Sequence, residues 1–517
     1  MNSNAVVTPH HLSAEAGRQI IEQGGNAVDA AVAAVAAQGV VAPETCGLGG
    51  DLFALVHVPG WARPRALNSS GRAGSGANAE QLRAAGASGI PGDHPVAVTI
   101  PGCVDGMVTL IHELGSLDIK KVLTPAIDLA ANGFEVSTEQ AAAFTRQAEV
   151  YRDNPAVSSF YPGGRAVGKG DLITRPELAR TLEAVADGGR DAFYGGTAGE
   201  DISGAVAGLI RLEDMAVSQA EWVDPIGAAV AGLTAWSIPP NSQGYLAPAS
   251  LAVFEMLDPP DDSADPEWWH LLIESYRCLA WERDDLVSDP KTLALPADLL
   301  MDEERLQRSA ATVDPNRAGI WPTTTGQLSS TAYLCTADAQ GTAVSIIQSN
   351  YRGTGSPFGA ARSGFLLQDR GMGFTLRPGH PNELAPGKRP LHTLSPILMS
   401  EGDRPRWVLG TRGGAVQPQL IAQLGARSIL GGTPLEPAQE APRWATAQFG
   451  PGSPSQLAFE PGVASDVIAS LEAKGHVITN LERRQPGWGP MSILELDGTD
   501  RRAAADPRVD TTAALVF

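Results

Sequence analysis

At 517 residues the chain exceeds one typical domain, although large layered α/β folds reach this length. With 43% hydrophobic and 19% charged residues it has ample material for a core, and its 57 glycines cluster in pairs that mark tight turns rather than disorder. A net charge of −20, with no basic run longer than two residues, as in Lys388-Arg389, argues against nucleic acid as a partner.

In chain order, residues 1–17 show neither a basic stretch nor an apolar one, so no secretory signal is expected. Residues 12–40 read as two helices broken at Gly24-Gly25, with Ser13 and Asn26 as N-caps. The second is alanine-rich but only about 15 residues long, short of the ~20 that cross a bilayer, and it carries Asp29 and Gln38. It is expected to pack closely on a sheet, and no membrane partner is expected. "GLGGD" then turns into a strand over 52–58; a phosphate cradle would instead run into a helix. Residues 116–240 read as mainly helical. "WSIPPNSQG" is a strand and turn before a long helix, and a further helix carries Trp268, Trp269 and Trp281 as core residues.

Residues 311–330 are polar and turn-rich, without apolar periodicity, and read as a mobile connector. Two strands follow abruptly, 331–337 and 342–347, joined by "DAQG". Strands, short turns and two helices complete the chain. Sheets between helices, in one interleaved domain, is the expected architecture. The four cysteines, at 46, 103, 278 and 335, lack C-x-x-C spacing, so no disulfide framework is expected and a cytoplasmic location fits.

Among candidate nucleophiles, G-x-S-x-G, H-E-x-x-H and P-loop signatures are all missing from the sequence. His10-His11 lacks partners at metal spacing, and Cys335 sits mid-strand without an evident base. Thr331 remains. A threonine hydroxyl needs a base within reach, and an N-terminal threonine carries its own in the α-amino group. That amine, with an unperturbed pKa of about 7.7–8, suits proton transfer near neutral pH. It exists only if the chain is cut before Thr331, and an unpatterned segment upstream is what such a cut requires. On pattern alone, a strand-opening threonine after a loop remains the plain alternative.

The motifs "GGNAVDAAVAA", "GLGGDLFALV", "PGCVDGM", "TPAIDLAANGFEVS", "PPNSQG", "LAPGKRPLHTLSP", "EAPRW" and "DPRVD" occur in the order seen in γ-glutamyltransferases. Over nearly its whole length the chain resembles that family, a branch of the N-terminal-nucleophile hydrolases. The resemblance implies a four-layer αββα sandwich and a precursor that cuts itself between Ser330 and Thr331, since "TAYLCTADAQG" matches the family's T-T-x-x-S-V-V-D-x-x-G. A large chain, 1–330, and a small chain, 331–517, would stay packed as a heterodimer, with a dimer of such pairs a further option. Gly413 and Gly414, in "LGTRGGAVQPQ", would supply the oxyanion hole. Ser349 and Asn350 would orient Thr331 across the hairpin. No metal or organic cofactor is implied.

The departures concern substrate. Ser70 stands where the family has the arginine of "DFRE", with Arg72 two residues on. His392 and Thr393 replace a serine pair, Gly373 replaces the aspartate that meets the α-amino group, and Ala332 replaces a second threonine. Gln417 and the surrounding "QPQ", with "IQSNY", look more like the divergent branch holding oxamate amidohydrolase and cephalosporin-acylase-like proteins. Losing an anionic partner weakens recognition of an ammonium group, whereas Arg72 would still hold a carboxylate. The expected function is therefore an N-terminal-threonine amidohydrolase acting on a small carboxylate-bearing amide, γ-glutamyl or related. Family membership by itself points to γ-glutamyl and glutathione chemistry. A non-cleaving family member serving as a binding or scaffold protein is the alternative. Arg443 and Arg508 read as structural.

Overall fold

The computed structural model describes residues 3–321, 330–446 and 456–517. Two antiparallel sheets carry the fold. In chain order their strands are β1 (Ala5–Thr8), β2 (Asp51–His57), β3 (Arg65–Ser69), β4 (Glu221–Val223), β5 (Ile226–Val230), β6 (Leu233–Ser237), β7 (Ala332–Ala337), β8 (Ala343–Ser349), β9 (Ile397–Glu401), β10 (Arg404–Thr411), β11 (Met491–Asp497), β12 (Asp500–Ala504) and β13 (Ala513–Val516). One sheet runs β13-β1-β7-β8-β2-β3-β4 and the other β12-β11-β10-β9-β6-β5.

The side-chain period of two sorts these strands between three cores. On β2, Phe53 and Leu55 face the second sheet with Tyr333, Cys335 and Ile347, meeting Leu398, Val408 and Leu494. The alternate residues Leu52, Ala54 and Val56, with Leu334 and Ile346, turn the other way onto helices. These are α1 (His11–Glu22), α2 (Ala27–Val41), α3 (Cys103–Leu114), α4 (Ile119–Asn132) and α5 (Pro176–Tyr194). On the far side, Ile397, Met399, Leu409 and Ile493 pack against α6 (Leu246–Met256), α7 (Pro266–Ala280) and α8 (Gln417–Gly425). The result is an αββα sandwich of the N-terminal-nucleophile hydrolase type. Both sheets draw strands from before and after Thr331.

Every residue of α2 is buried, which is why its sequence is alanine-rich rather than amphipathic. Its N-terminus is closed by a capping box, Asn26 with Asp29. The N-cap of α1 is His10 rather than Ser13. His10 Nδ1 accepts the Leu12 N–H at 3.3 Å, while the Ser13 hydroxyl donates to the Ala34 carbonyl at 2.7 Å and ties α1 to α2.

The connector expected over 311–330 is also corrected in its described part. The Ala318 N–H donates to the Lys474 carbonyl at 2.8 Å, and Glu274 Oε2 accepts from the Gly319 N–H at 3.0 Å and Trp321 Nε1 at 2.9 Å. Polar composition misled here because hydrogen bonds hold the segment together with a few scattered apolar contacts, Val313 and Trp321 against the core, that show no period. Residues 322–329, the remainder before Ser330, lie outside the described residues. Trp268 and Trp269 are core, whereas Trp281 is only partly buried beyond the end of α7. Among the described residues no helix is long and apolar enough to cross a membrane, and no cluster of three metal-ligating side chains occurs.

Candidate active site

Thr331 immediately precedes β7 and is buried. Across the hairpin, β7 pairs with β8 so that Ala332 faces Gln348, and Ser349 is the next residue. The Thr331 hydroxyl donates to Ser349 Oγ at 3.2 Å. Ser349 Oγ also accepts the Tyr351 N–H at 2.9 Å and donates its own proton to the Ser330 carbonyl at 2.9 Å. That hydroxyl therefore accepts twice and donates once, its full capacity. The carbonyl it touches is that of the Ser330–Thr331 peptide.

The GLGG turn braces this end of the hairpin. A Cβ at Gly50 would lie 2.4 Å from the Ser349 carbonyl oxygen, and one at Gly49 would lie 2.1 Å from the Leu366 carbonyl oxygen. Both positions are glycine because backbone passes there. At Gly410 a Cβ would fall 2.4 Å from the Tyr333 ring, which packs across from the second sheet.

Beyond β10 the chain turns through Gly413 (φ 129°) and Gly414 (φ 60°) before α8. Neither N–H has an acceptor among the described residues. The turn is held from behind: Gln243 Nε2 donates to the Gly414 carbonyl at 3.1 Å and to the Thr393 carbonyl at 3.3 Å. Gln243 Oε1 in turn accepts from Arg283 Nη1 at 3.0 Å. A cavity of about 570 Å³ opens beside it, with Tyr351, Gly373, Thr393, Ala415, Arg283 and Arg377 in its wall.

Behind this wall lies a buried polar layer. His392 Nε2 meets Asp51 Oδ2 at 2.9 Å with both side chains fully buried. Asp51 Oδ1 takes the Gly71 N–H at 2.7 Å and Gln368 Nε2 at 2.9 Å. Burial, and then the nearby Arg370, hold the His392 pKa down at about 3 despite Asp51. The ring is thus neutral near pH 7: Nε2–H donates to Asp51, and Nδ1 accepts the Leu394 N–H at 3.3 Å. The Ser70 hydroxyl donates to Asn68 Oδ1 at 2.7 Å, and Asn68 Nδ2 to Asn241 Oδ1 at 2.9 Å.

Of the residues singled out in the sequence, Thr331, Ser330 and Ser349 meet directly, and Thr393 lines the cavity. Asn350 shows no hydrogen bond to Thr331 among the described residues: its Nδ2 donates to the Thr354 carbonyl at 3.1 Å, and its Oδ1 is buried without a donor. Arg72 is engaged by the Ser218 carbonyl, Gln219 and Glu221, the last at 3.2 Å. Gln417 Oε1 accepts the Ser395 N–H at 3.0 Å and so braces the Thr393 segment. Ser70 and His392 belong to the layer behind the wall. Sequence reasoning missed Asp51, Gln368, Asn68, Asn241, Gln243, Tyr351 and Arg370. Asn241 and Gln243 lie in the PPNSQG motif, Asp51 in GLGGDLFALV and Tyr351 in IQSNY, but none of these motifs says what the side chain meets; Asp51 and His392 are 341 residues apart.

A threonine opening a buried central strand of an αββα sandwich is the layout of the N-terminal-nucleophile hydrolases. The chain belongs to the gamma-glutamyltranspeptidase family, whose model matches residues 13–516, and it is an amidohydrolase of the proenzyme type. It is 32% identical over 514 residues to the glutathione hydrolase-like YwrD proenzyme of Bacillus subtilis, covering 98% of this chain and 97% of that one. It is 34% identical over 526 residues to the oxamate amidohydrolase proenzyme of Klebsiella pneumoniae, again 98% and 97%. The crystal structure of cephalosporin acylase from Bacillus halodurans superposes with a TM-score of 0.91 at 30% identity, covering 99% of this chain and 96% of that one. A gamma-glutamyltranspeptidase from Helicobacter pylori gives 0.57 at 28% identity, over 60% of this chain and 91% of that one.

Proposed function

We propose that the protein cuts itself between Ser330 and Thr331 and then hydrolyses a small carboxylate-bearing amide with Thr331 as nucleophile. The observation that carries this reading is the Ser349 hydroxyl, which accepts from Thr331 Oγ while donating to the Ser330 carbonyl. In the first stage Thr331 Oγ bonds to the Ser330 carbonyl carbon, and Ser349 takes the hydroxyl proton as it gives its own toward the carbonyl oxygen. The C–N bond then breaks, the proton goes to the departing Thr331 nitrogen, and water hydrolyses the ester. The products are a Ser330 carboxylate and a free Thr331 amine and hydroxyl. Because both sheets contain strands from 1–330 and from 331–517, the two pieces remain one interleaved heterodimer.

In turnover the amine accepts the Thr331 hydroxyl proton as Oγ attacks the amide carbon. The Gly413 and Gly414 N–H groups meet the developing oxyanion. The proton passes to the leaving amine, and water resolves the acyl-enzyme. The substrate is of oxamate's kind rather than γ-glutamyl: Gly373 offers no carboxylate for an α-ammonium group, Asp51 is taken by His392, and Asp369 is paired with Arg352 at 2.8 Å.

The test is a Thr331→Ala variant beside the parent, with ammonia or amine release measured over oxamate, succinamate and a γ-glutamyl anilide. The parent is expected to act on a des-amino amide in preference to the γ-glutamyl one, and the variant to remain full length and inert. A variant that is cut and turns over like the parent removes Thr331 from the mechanism; an intact, inert parent makes the protein a binding or scaffold member.

A further inference from the structure

Arg370 is fully buried, yet most of its hydrogen-bonding capacity is unused. Its Nη1 donates to the Thr393 hydroxyl at 3.2 Å, and its guanidinium carbon lies 4.1 Å from the centre of the Tyr351 ring. Nε and Nη2 meet no acceptor among the described residues. These two nitrogens form one edge of the planar fork, the edge that matches the two oxygens of a carboxylate. The nearby acids are committed: Asp51 to His392, Gln368 and the Gly71 N–H, and Asp369 to Arg352. A buried guanidinium with two of its three nitrogens lacking acceptors is costly, so the surroundings favour an incoming anion.

Both groups that hold Arg370 line the cavity. Thr393 Oγ accepts from the guanidinium, so its own proton is free to point elsewhere. Tyr351 holds the Ser349 hydroxyl through its N–H, and Ser349 holds Thr331. The anchor and the nucleophile are thus joined through two residues. Arg389 also has idle nitrogens. Its Nη2 is fixed on the Gln219 carbonyl at 2.7 Å, with Glu221 at 3.4 Å, in the group that engages Arg72.

We infer that Arg370, with the Thr393 hydroxyl, receives the carboxylate of the substrate, in the role the family gives to an arginine at the position of Ser70. This rests on the amidohydrolase reading above. Arg72, to which the sequence pointed for that role, is the control.

The experiment is calorimetric binding of oxalate, succinate and glutarate to the mature enzyme and its variants. At least one dicarboxylate is expected to bind. Arg370→Met is expected to weaken it roughly 10- to 100-fold, the range of a charged hydrogen bond lost, with Arg370→Lys between the two. Arg72→Gln is expected to change it less than about threefold, as for other surface pairs. Three results overturn the inference: no dicarboxylate binding to the mature enzyme, unchanged binding in Arg370→Met, or the loss appearing in Arg72→Gln instead. If Arg370→Met lacks a melting transition, Arg370→Lys decides on the same criterion. Intact masses of the same preparations report on Thr331 separately. An uncleaved parent that binds through Arg370 sinks the nucleophile and keeps the anchor; a cleaved parent indifferent to Arg370 does the reverse.

Discussion

Replacing Ser349 with alanine removes three hydrogen bonds at once, and two of them have different consequences. The Ser330 carbonyl loses the donor 2.9 Å away that polarises it for attack. Removing one such donor from an acyl-transfer site costs about 10²–10³ in rate, and self-cleavage is expected to slow by that factor. The buried Tyr351 N–H also loses its acceptor, which costs stability by about 1–3 kcal/mol. Ser349→Thr keeps the hydroxyl and is expected to restore cleavage to within about tenfold of the parent, since the lost donor is the main term. The assay is the time course of the two fragments after purification, on denaturing gels and by mass, with thermal melting in parallel. An alanine variant that melts lower but is processed at the parental rate refutes the reasoning, because Ser349 would then be a packing residue only.

Gly413→Ala places a Cβ at φ 129° and 3.0 Å from Val416, strain of about 1–3 kcal/mol, and is expected to lower kcat far more than it lowers the melting temperature. Glu44 is buried beside Glu139, and burial, then that charge, push its carboxyl up to about 8 from 4.5. The folded state keeps a proton that the unfolded chain releases, so this residue's contribution to stability declines as pH rises from about 4.5 to about 8. Glu44→Gln is expected to flatten that slope and raise the melting temperature at pH 8. Burial would raise the Asp506 carboxyl, but Arg443 and Arg508 outweigh it and hold it below its ordinary value. Its stabilisation is present above the unfolded value and fades as pH falls through the folded one. Asp506→Asn leaves two buried cations short of a partner, at a cost of about 3–5 kcal/mol in denaturant unfolding.

The fold was legible where a local rule coincides with the tertiary result. Asn26 caps α2 as its place before the alanine-rich run suggests, and the strands on either side of DAQG pair as a hairpin. Ser13 was misread because a cap candidate is judged by its neighbours along the chain, whereas Ala34, on the next helix, claims its hydroxyl. Thr331 and Ser349 were legible because a hairpin register converts sequence distance into spatial distance. Asp51 and His392 were not, since nothing local around either residue announces a partner 341 residues away. Arg72 and Arg370 show the same limit. Motif alignment favours the arginine nearest the expected position, and only side-chain partners reveal that Arg72 is engaged by Glu221 while Arg370 keeps Nε and Nη2 without an acceptor among the described residues.

The intact mass of freshly purified protein under denaturing conditions tests the central claim most directly. Two species meeting between Ser330 and Thr331, with none surviving at full length after incubation, is the predicted result. A single full-length species that persists would contradict it, for Thr331 would then have no amine with which to act.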